Sequence, residues 1–154
     1  LKQRAAIFYN YQVQEQDTIS NVAFRYYDDE TLDWVIMLVN DIIDPYYDWP
    51  LSYANFIEYM KTLYGSVDTA MATTYEYRKI LNPQKVLFDG TVIPKRTVVI
   101  DQNTYNSLAP ADREEIDAYE YYEEQNNLKR NIKILDKSYI GLIKTQVETI
   151  FAQI

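Results

Sequence analysis

The segment Leu32–Val39 most constrains the fold, because it predicts a helix that is apolar on every side. The apolar residues at helical spacing are Leu32, Val35, Ile36 and Val39. Only Asp33 is plainly polar, and the other positions hold Trp34, Met37 and Leu38. Such a helix must be buried on all sides, whereas a small unit covers only one face by itself. The remaining faces therefore require further chain or a partner protein.

The residues before this segment predict a strand and a first helix. Residues 1–10 read as a lead-in that becomes an edge strand or an arm, and Tyr11–Gln14 alternates as a short strand does. The dipeptide Asp17-Thr18 can cap the first free amides of a helix. The inward stripe of that helix is Ile19, Val22, Ala23 and Tyr26. The pair Asp28-Asp29 then breaks the pattern and can cap the second helix, which ends at Asn40.

A short segment rich in aspartate and aromatic residues follows, with the sequence DIIDPYYDWP. Pro45 and Pro50 predict two bends, and the aromatic residues between them are Tyr46, Tyr47 and Trp49. Calcium is one reading of the crowded carboxylates, which are Asp41, Asp44 and Asp48. Their spacing lacks the glycine and the terminal glutamate of an EF-hand loop, and Pro45 interrupts it. We interpret them as turn-forming residues and predict no metal site.

The middle of the chain predicts a helix and then a small antiparallel β insertion. Ser52 can cap a helix that continues through Leu63 and ends at Gly65. The apolar stripe of this helix is Phe56, Ile57, Met60 and Leu63. Residues 66–74 read as a loop. Strands are predicted at residues 75–81, in a hairpin at 86–93 and at 97–100, and Asp89-Gly90 indicates a type I′ turn in the hairpin.

The C-terminal part predicts a long helix and a strand. The helix runs from Pro110 or Ala111 to about Lys129 and begins with seven acids: Asp112, Glu114, Glu115, Asp117, Glu120, Glu123 and Glu124. Ile132 and Ile134 then alternate with a lysine as in a short strand. We predict that this strand pairs with Tyr11–Gln14.

A last helix is predicted from about Ser138. It carries a seam at alternating steps of three and four: Ile140, Ile143, Val147, Ile150 and Ile154. The seam spans only about two heptads, whereas a convincing coiled coil has three or more. Packing against the chain's own body and pairing with a partner helix both remain open.

Composition excludes several classes of function. The chain has no histidine and no cysteine, so imidazole-based and thiolate-based catalysis, disulfides and the usual zinc sites are all excluded. A net charge of −8 argues against nucleic acid as a partner. No apolar run approaches the ~20 residues of a membrane helix, and no signal peptide is recognisable. We therefore expect a soluble protein made in the cytoplasm, with no membrane partner.

No enzymatic motif is recognisable in the chain. The acids of residues 112–124 would lie on a solvated helix, and nothing desolvates one of them into a general acid. The glycines stand alone, so no phosphate loop or dinucleotide fingerprint is present. We predict neither catalytic residues nor a cofactor.

Tyrosine is unusually frequent, with 16 among 154 residues. Tyrosines are enriched at protein interfaces, although they are also ordinary half-buried residues. Of these two readings we favour contacts with other chains.

The strand, the Asp17-Thr18 cap, the two short helices and Asn40 resemble the LysM module, which binds glycans that contain N-acetylglucosamine. The resemblance implies a groove between Gln16–Thr18 and Asn40–Ile43. LysM modules usually carry glycine at the position of Gln16 and close with a second strand soon after the asparagine. Here those places hold a larger side chain and the aromatic segment. We therefore favour a LysM scaffold reused for protein docking, and glycan binding is the alternative.

The sequence from DETLDWVIMLVN to DIIDPYYDWP is similar to the LysM-like baseplate wedge protein of contractile-tailed bacteriophages, the gene-product-fifty-three family. The segment ADREEIDAYEYYEEQNNLKRNIKILDKS is similar to the same family. This resemblance implies a structural protein of the virion tail baseplate. Its expected partners are other wedge proteins, and possible further partners are neighbouring copies of the wedge or the hub.

We therefore predict an α+β protein with a LysM-like core of strand, two short helices and strand, a small antiparallel β insertion, and C-terminal helices. The predicted segments are residues 1–65 (LysM-like module and following helix), 66–109 (hairpin insertion and connector) and 110–154 (C-terminal helices and a strand that completes the LysM-like sheet). The predicted partner-binding residues are Trp34, Met37, Leu38, Tyr46, Tyr47 and Trp49, and secondarily Ile140, Ile143, Val147 and Ile150. The alternative function is that of a peptidoglycan-binding module.

Overall fold

The computed structural model describes residues 7–152 and shows a mixed α+β chain with two compact units. The first unit comprises the chain up to Tyr53 and again from Asn126, and the second comprises Ala54–Gln125. The two ends of the chain therefore share one unit.

Among the described residues, one strand comes first, five helices follow it, four strands come next, and helices and strands alternate after them. The helices are α1 (Ile19–Tyr27), α2 (Asp33–Val39), α3 (Pro45–Asp48), α4 (Tyr53–Tyr64), α5 (Val67–Met71), α6 (Gln102–Ser107), α7 (Ala118–Leu128) and α8 (Ile140–Phe151). The strands are β1 (Phe8–Gln12), β2 (Thr74–Asn82), β3 (Lys85–Val86), β4 (Val92–Ile93), β5 (Arg96–Ile100), β6 (Arg113–Asp117) and β7 (Asn131–Leu135). Short 3₁₀ turns span Glu30–Leu32, Pro110–Asp112 and Lys137–Tyr139. No helix among residues 7–152 is long and apolar enough to cross a lipid bilayer.

Strands β1 and β7 form an antiparallel pair that joins the two ends of the chain. Tyr11 lies opposite Ile132, so the pairing predicted for these segments is observed. The first strand begins earlier than predicted, at Phe8, and the amide of Asp136 extends the pairing by donating to the carbonyl of Ile7 at 2.8 Å. Residues 1–6 of the predicted lead-in lie outside the described part of the chain.

Helix α1 is capped and oriented much as its sequence predicts. The Thr18 hydroxyl accepts the amide of Asn21 at 3.2 Å, which satisfies one of the free amides of the first turn. The inward aromatic residue is Tyr27, whereas the predicted Tyr26 is exposed. The ring of Tyr26 instead meets the Tyr11 ring edge to face at 5.5 Å.

Helix α2 and strand β7 supply the centre of the first unit's core. Val35, Ile36 and Ile134 are almost completely buried. Other buried members of this core are Val13, Ile19, Val22, Ala23, Tyr27, Leu32, Ile132, Leu135 and Ile140. The apolar helix predicted to need further chain is therefore covered by α1 on one part and by β7, from the C-terminal part of the same protein, on another.

The second unit contains a three-stranded antiparallel sheet of order β5-β2-β6. Strand β6 contradicts the predicted long helix from residue 110 to 129, because only Ala118–Leu128 is α-helical. The loop predicted at 66–74 is also wrong, since Ser66 caps helix α5 by accepting the amide of Thr69 at 3.0 Å. The buried apolar side chains of the second unit are Phe56, Met60, Ala70, Ile116 and Ala118.

Part of the tyrosine excess lies inside the second unit. The rings of Tyr75 and Tyr121 are stacked at 3.8 Å, and Tyr122 meets Tyr75 edge to face at 5.6 Å. Burial, together with the neighbouring hydroxyls of Tyr64 and Tyr75, raises the pKa of Tyr122 to about 12. These tyrosines serve contacts within the chain, which accounts for part of the composition without a partner.

Candidate protein-docking surface

The segment after α2, which we call the aromatic loop (residues 41–49), is held by side chains that bond to its own backbone. The Asp48 carboxylate accepts the amides of Ile43 and Asp44, each at 2.9 Å. Asp44 in turn accepts the amide of Tyr46 at 2.9 Å and so caps α3. The amides of Asp44 and Ile43 lower the pKa of Asp48. The predicted role of these aspartates in forming turns is observed.

The aromatic loop exposes large apolar side chains on this fixed backbone. Ile43 is 89% exposed, Tyr46 is 88% exposed and Tyr47 is 73% exposed. Leu38, on the last turn of α2, is also exposed. Lys129 donates to the carbonyl of Tyr47, which ties the loop to the residues before β7. The loop therefore presents apolar side chains on a backbone that hydrogen bonds within the first unit already hold.

The two tryptophans of the predicted surface face inward. Trp34 and Trp49 are partly buried against the core of the first unit, as is Met37. The indole Nε1 of Trp49 donates to the carbonyl of Asp17 at 3.0 Å. These three residues pack on the core of the first unit, and the exposed members of the predicted set from α2 and the aromatic loop are Leu38, Tyr46 and Tyr47.

The predicted seam of α8 changes from buried to exposed along the helix. Ile140 is buried in the core, and Ile143 packs against it. Val147 is half-buried and Ile150 is exposed, while Ile154 lies outside the described residues. The first turns of α8 therefore pack on the first unit, and the exposed apolar residues of this helix are Leu142, Ile150 and Phe151.

Asn40 clamps the free edge of β7 beside the aromatic loop. Its amide nitrogen donates to the carbonyl of Lys133 at 2.8 Å, and its side-chain oxygen accepts the amide of Lys133 at 2.7 Å. The same nitrogen donates to the carbonyl of Ile36 at 2.8 Å. Asn40 thereby replaces a strand partner and fixes the end of α2 to the sheet.

Two polar residues that no sequence pattern indicated hold the segment after Trp49. The buried Asn126 accepts the amide of Leu51 at 2.7 Å and donates to its carbonyl at 3.0 Å. Arg130 donates to the same carbonyl at 2.9 Å and pairs with Glu15 at 3.2 Å. The partners are far apart in sequence, so only the folded chain reveals them.

The Asp17 carboxylate is enclosed, with its side chain 5% exposed. It accepts the amide of Gln14 at 2.8 Å and the Tyr11 hydroxyl, and it pairs with Arg25 at 2.9 Å. Burial alone would raise the pKa of Asp17, but the hydrogen bonds from Tyr11, Gln14 and Arg25 outweigh it and lower the pKa. The carboxylate is fully engaged inside the unit.

The segments expected to line a sugar groove do not form one continuous site. A half-open cavity of about 310 Å³ is lined by residues 40–42, 48, 128–129 and 131–132. Gln16–Thr18 does not line it, and the carbonyl of Asp17 is occupied by Trp49. Within residues 7–152, no group of three or more carboxylates is placed to hold a metal ion.

Comparison with known proteins identifies the family. A search of curated proteins found no match for this chain. The family model described as Base plate wedge protein 53, a phage family, matches residues 3–150. Because the match covers nearly the whole chain, this protein belongs to the Base plate wedge protein 53 family, and its role is that of a structural protein of the phage tail baseplate.

Proposed function

We propose that this protein docks other wedge proteins through the aromatic loop together with Leu38, and so helps to join neighbouring wedges around the hub. The observation that carries the proposal is the exposure of Ile43, Tyr46 and Tyr47 on a backbone fixed by Asp44 and Asp48. Tyrosine is among the residues that most often anchor protein interfaces.

The energetic argument depends on burial and on preorganisation. Full burial of a large apolar side chain contributes roughly 1.5–3 kcal/mol. A loop that is already ordered loses less conformational entropy on binding, so more of this free energy remains as affinity. Three such side chains on one short loop can therefore contribute several kcal/mol to the free energy of binding within a larger assembly.

The order of strands and helices in the first unit supports our proposal of a LysM-like core. Strand β1, helices α1 and α2 and strand β7 follow the proposed order, and the closing strand comes from the C-terminal part of the chain. Glycan binding has less support, because Trp49 covers the carbonyl of Asp17 and the side chain of Asp17 is enclosed. We therefore propose that the scaffold serves protein contacts and that no catalytic chemistry is involved.

A triple variant tests the docking surface. Ile43→Ser, Tyr46→Ser and Tyr47→Ser together should leave tryptophan emission and circular dichroism unchanged, since all three side chains are exposed. Assembly of baseplates from purified wedge components should fall at least tenfold. The matched control is Phe24→Ser with Tyr53→Ser, which alters exposed aromatic residues outside the loop.

The two possible failures have different meanings. A folded triple variant that assembles like the unaltered protein would contradict the docking role of the loop. Saturable pelleting of the unaltered protein with peptidoglycan sacculi, competed by N-acetylglucosamine oligomers, would instead favour the glycan alternative.

A further inference from the structure

The region from residue 81 to 96, which we call the ribbon, contributes no side chain to the core. Every residue in this range is exposed. Its large apolar members are Leu81, Val86, Leu87, Phe88, Val92 and Ile93, and Phe88 at the tip is completely exposed. A two-stranded hairpin is marginally stable in water unless one face is covered. The ribbon thus carries apolar surface that its own unit leaves uncovered.

The tip of the ribbon is nevertheless ordered. Val86 lies opposite Val92 in the β3–β4 pair, and the amide of Leu87 donates to the carbonyl of Thr91 at 2.8 Å. Gly90 has φ +83°, a conformation that favours glycine. Asp89 does not share this positive φ, so the turn is not the two-residue type I′ turn predicted from the sequence. Phe88 is therefore presented by a defined turn.

The ribbon also carries a local excess of positive charge. Lys85, Lys95 and Arg96 oppose the single acid Asp89, although the chain as a whole has a net charge of −8. Lys95 pairs with Glu114, whereas no ion pair of Lys85 or Arg96 occurs within residues 7–152. Lys85 lies opposite Ile93, so that a cation and an apolar side chain share one face. A complementary site would combine an apolar floor with carboxylates at its rim.

The cavity beside the aromatic loop has this chemistry. It is a half-open depression with a volume of about 310 Å³. Its apolar lining is Ile42, Leu128 and Ile132, and Asn40 and Asn131 also line it. Of its two carboxylates, Asp48 is engaged with main-chain amides, and Asp41 is the one that faces a partner in the contact below. The cation on its rim, Lys129, is engaged with the carbonyl of Tyr47.

We propose that the ribbon of one copy inserts Phe88 into this cavity on a neighbouring copy, with Lys85 facing Asp41. The partner is a second copy of this chain. Only the position of this contact around the hub rests on the proposed joining role. Because the ribbon and the cavity are different surfaces, the contact is head-to-tail and can close into a ring. One hairpin buries less than a standard stable interface, so the contact requires high local concentration.

Cysteine crosslinking tests the contact on the purified full chain, which has no native cysteine. The double variant Leu87→Cys, Leu128→Cys keeps Phe88 and, oxidised at about millimolar concentration, should form a ladder of covalent oligomers joined by 87–128 disulfides. Leu87→Cys alone can form dimers but no ladder. The matched control pairs Leu87→Cys with Phe24→Cys, which is exposed outside the cavity.

A charge exchange separates specific docking from random collision. Adding Lys85→Glu should slow formation of the 87–128 disulfide at least fivefold, and adding Asp41→Lys to that variant should restore the rate. Absence of the ladder, an 87–24 ladder formed equally fast, or a rate indifferent to both charge changes would overturn the proposal. These results are independent of baseplate assembly, so this inference and the docking role of the aromatic loop can fail separately.

Discussion

Single polar side chains hold the loops of the first unit by bonding to backbone groups. Asp17, Asn40 and Asp48 each accept at least one main-chain amide. Each of these bonds restricts the backbone conformation of its loop. The carboxylates of Asp17 and Asp48 are thus engaged within the fold itself.

Asp17→Asn should lower the free energy of unfolding of the first unit by about 1–3 kcal/mol at pH 7, because charge-assisted hydrogen bonds from Tyr11 and Arg25 are weakened. The folded-state pKa of Asp17 is depressed. Its contribution is therefore present above the unfolded pKa of about 3.9 and is lost as pH falls through the folded pKa. Urea unfolding followed by tryptophan emission should show the difference between the two proteins shrinking in acid.

The control for this variant is Asp28→Asn. Asp28 has φ +58°, which asparagine tolerates, and its carboxylate is exposed and pairs with Lys137 at the surface. We expect a change below about 0.5 kcal/mol. Equal destabilisation by both variants at every pH would contradict the role assigned to Asp17.

Sequence patterns predict local residue roles well and distant ones poorly. The cap at Thr18 and the turn-forming Asp44 and Asp48 bond to residues within five positions, so their roles follow from local chemistry. The partner of Asn40 on strand β7 is 93 positions away. Nothing in the local spacing indicates such a partner.

At the level of elements, strand β6 shows how distant charges override local propensity. Its sequence, REEID, favours a helix beginning with acids, as predicted. In the fold, Glu114 lies opposite Arg78 on β2 and pairs with Lys95. Ile116, 2% exposed, is the buried apolar residue of this strand. Cross-strand pairing and one apolar anchor therefore determine the structure here.

Ile116→Ala should destabilise the second unit by about 2–5 kcal/mol, because it leaves a cavity at an almost fully buried position. Hydrogen exchange of the β2 and β6 amides should accelerate accordingly. Val99→Ala, at an exposed position of β5, is the matched control and should change stability by less than about 0.5 kcal/mol. Protection of β2 that survives Ile116→Ala unchanged would refute this assignment of the anchor.

At the level of the whole molecule, the two units differ in how the chain builds them. The second unit is one continuous segment, whereas the first requires both ends of the chain. The core of the first unit contains Ile132, Ile134 and Leu135 from β7 as well as side chains from α1 and α2. Both tryptophans, Trp34 and Trp49, lie in the first unit, so their emission reports on that unit.

A chain that ends at Gln125 should therefore lose the first unit and keep the second. Without β7, strand β1 has no partner and the core loses its central side chains, so tryptophan emission should shift to that of solvent-exposed indole. The sheet β5-β2-β6 and the stacked Tyr75 and Tyr121 are complete within the remaining segment, so hydrogen-exchange protection in β2 should persist. A chain that ends at Thr145 retains β7, Ile140 and Ile143 and should keep the native emission. If the shorter chain kept buried tryptophans, or lost protection in β2 as well, the two units could not be independent in folding.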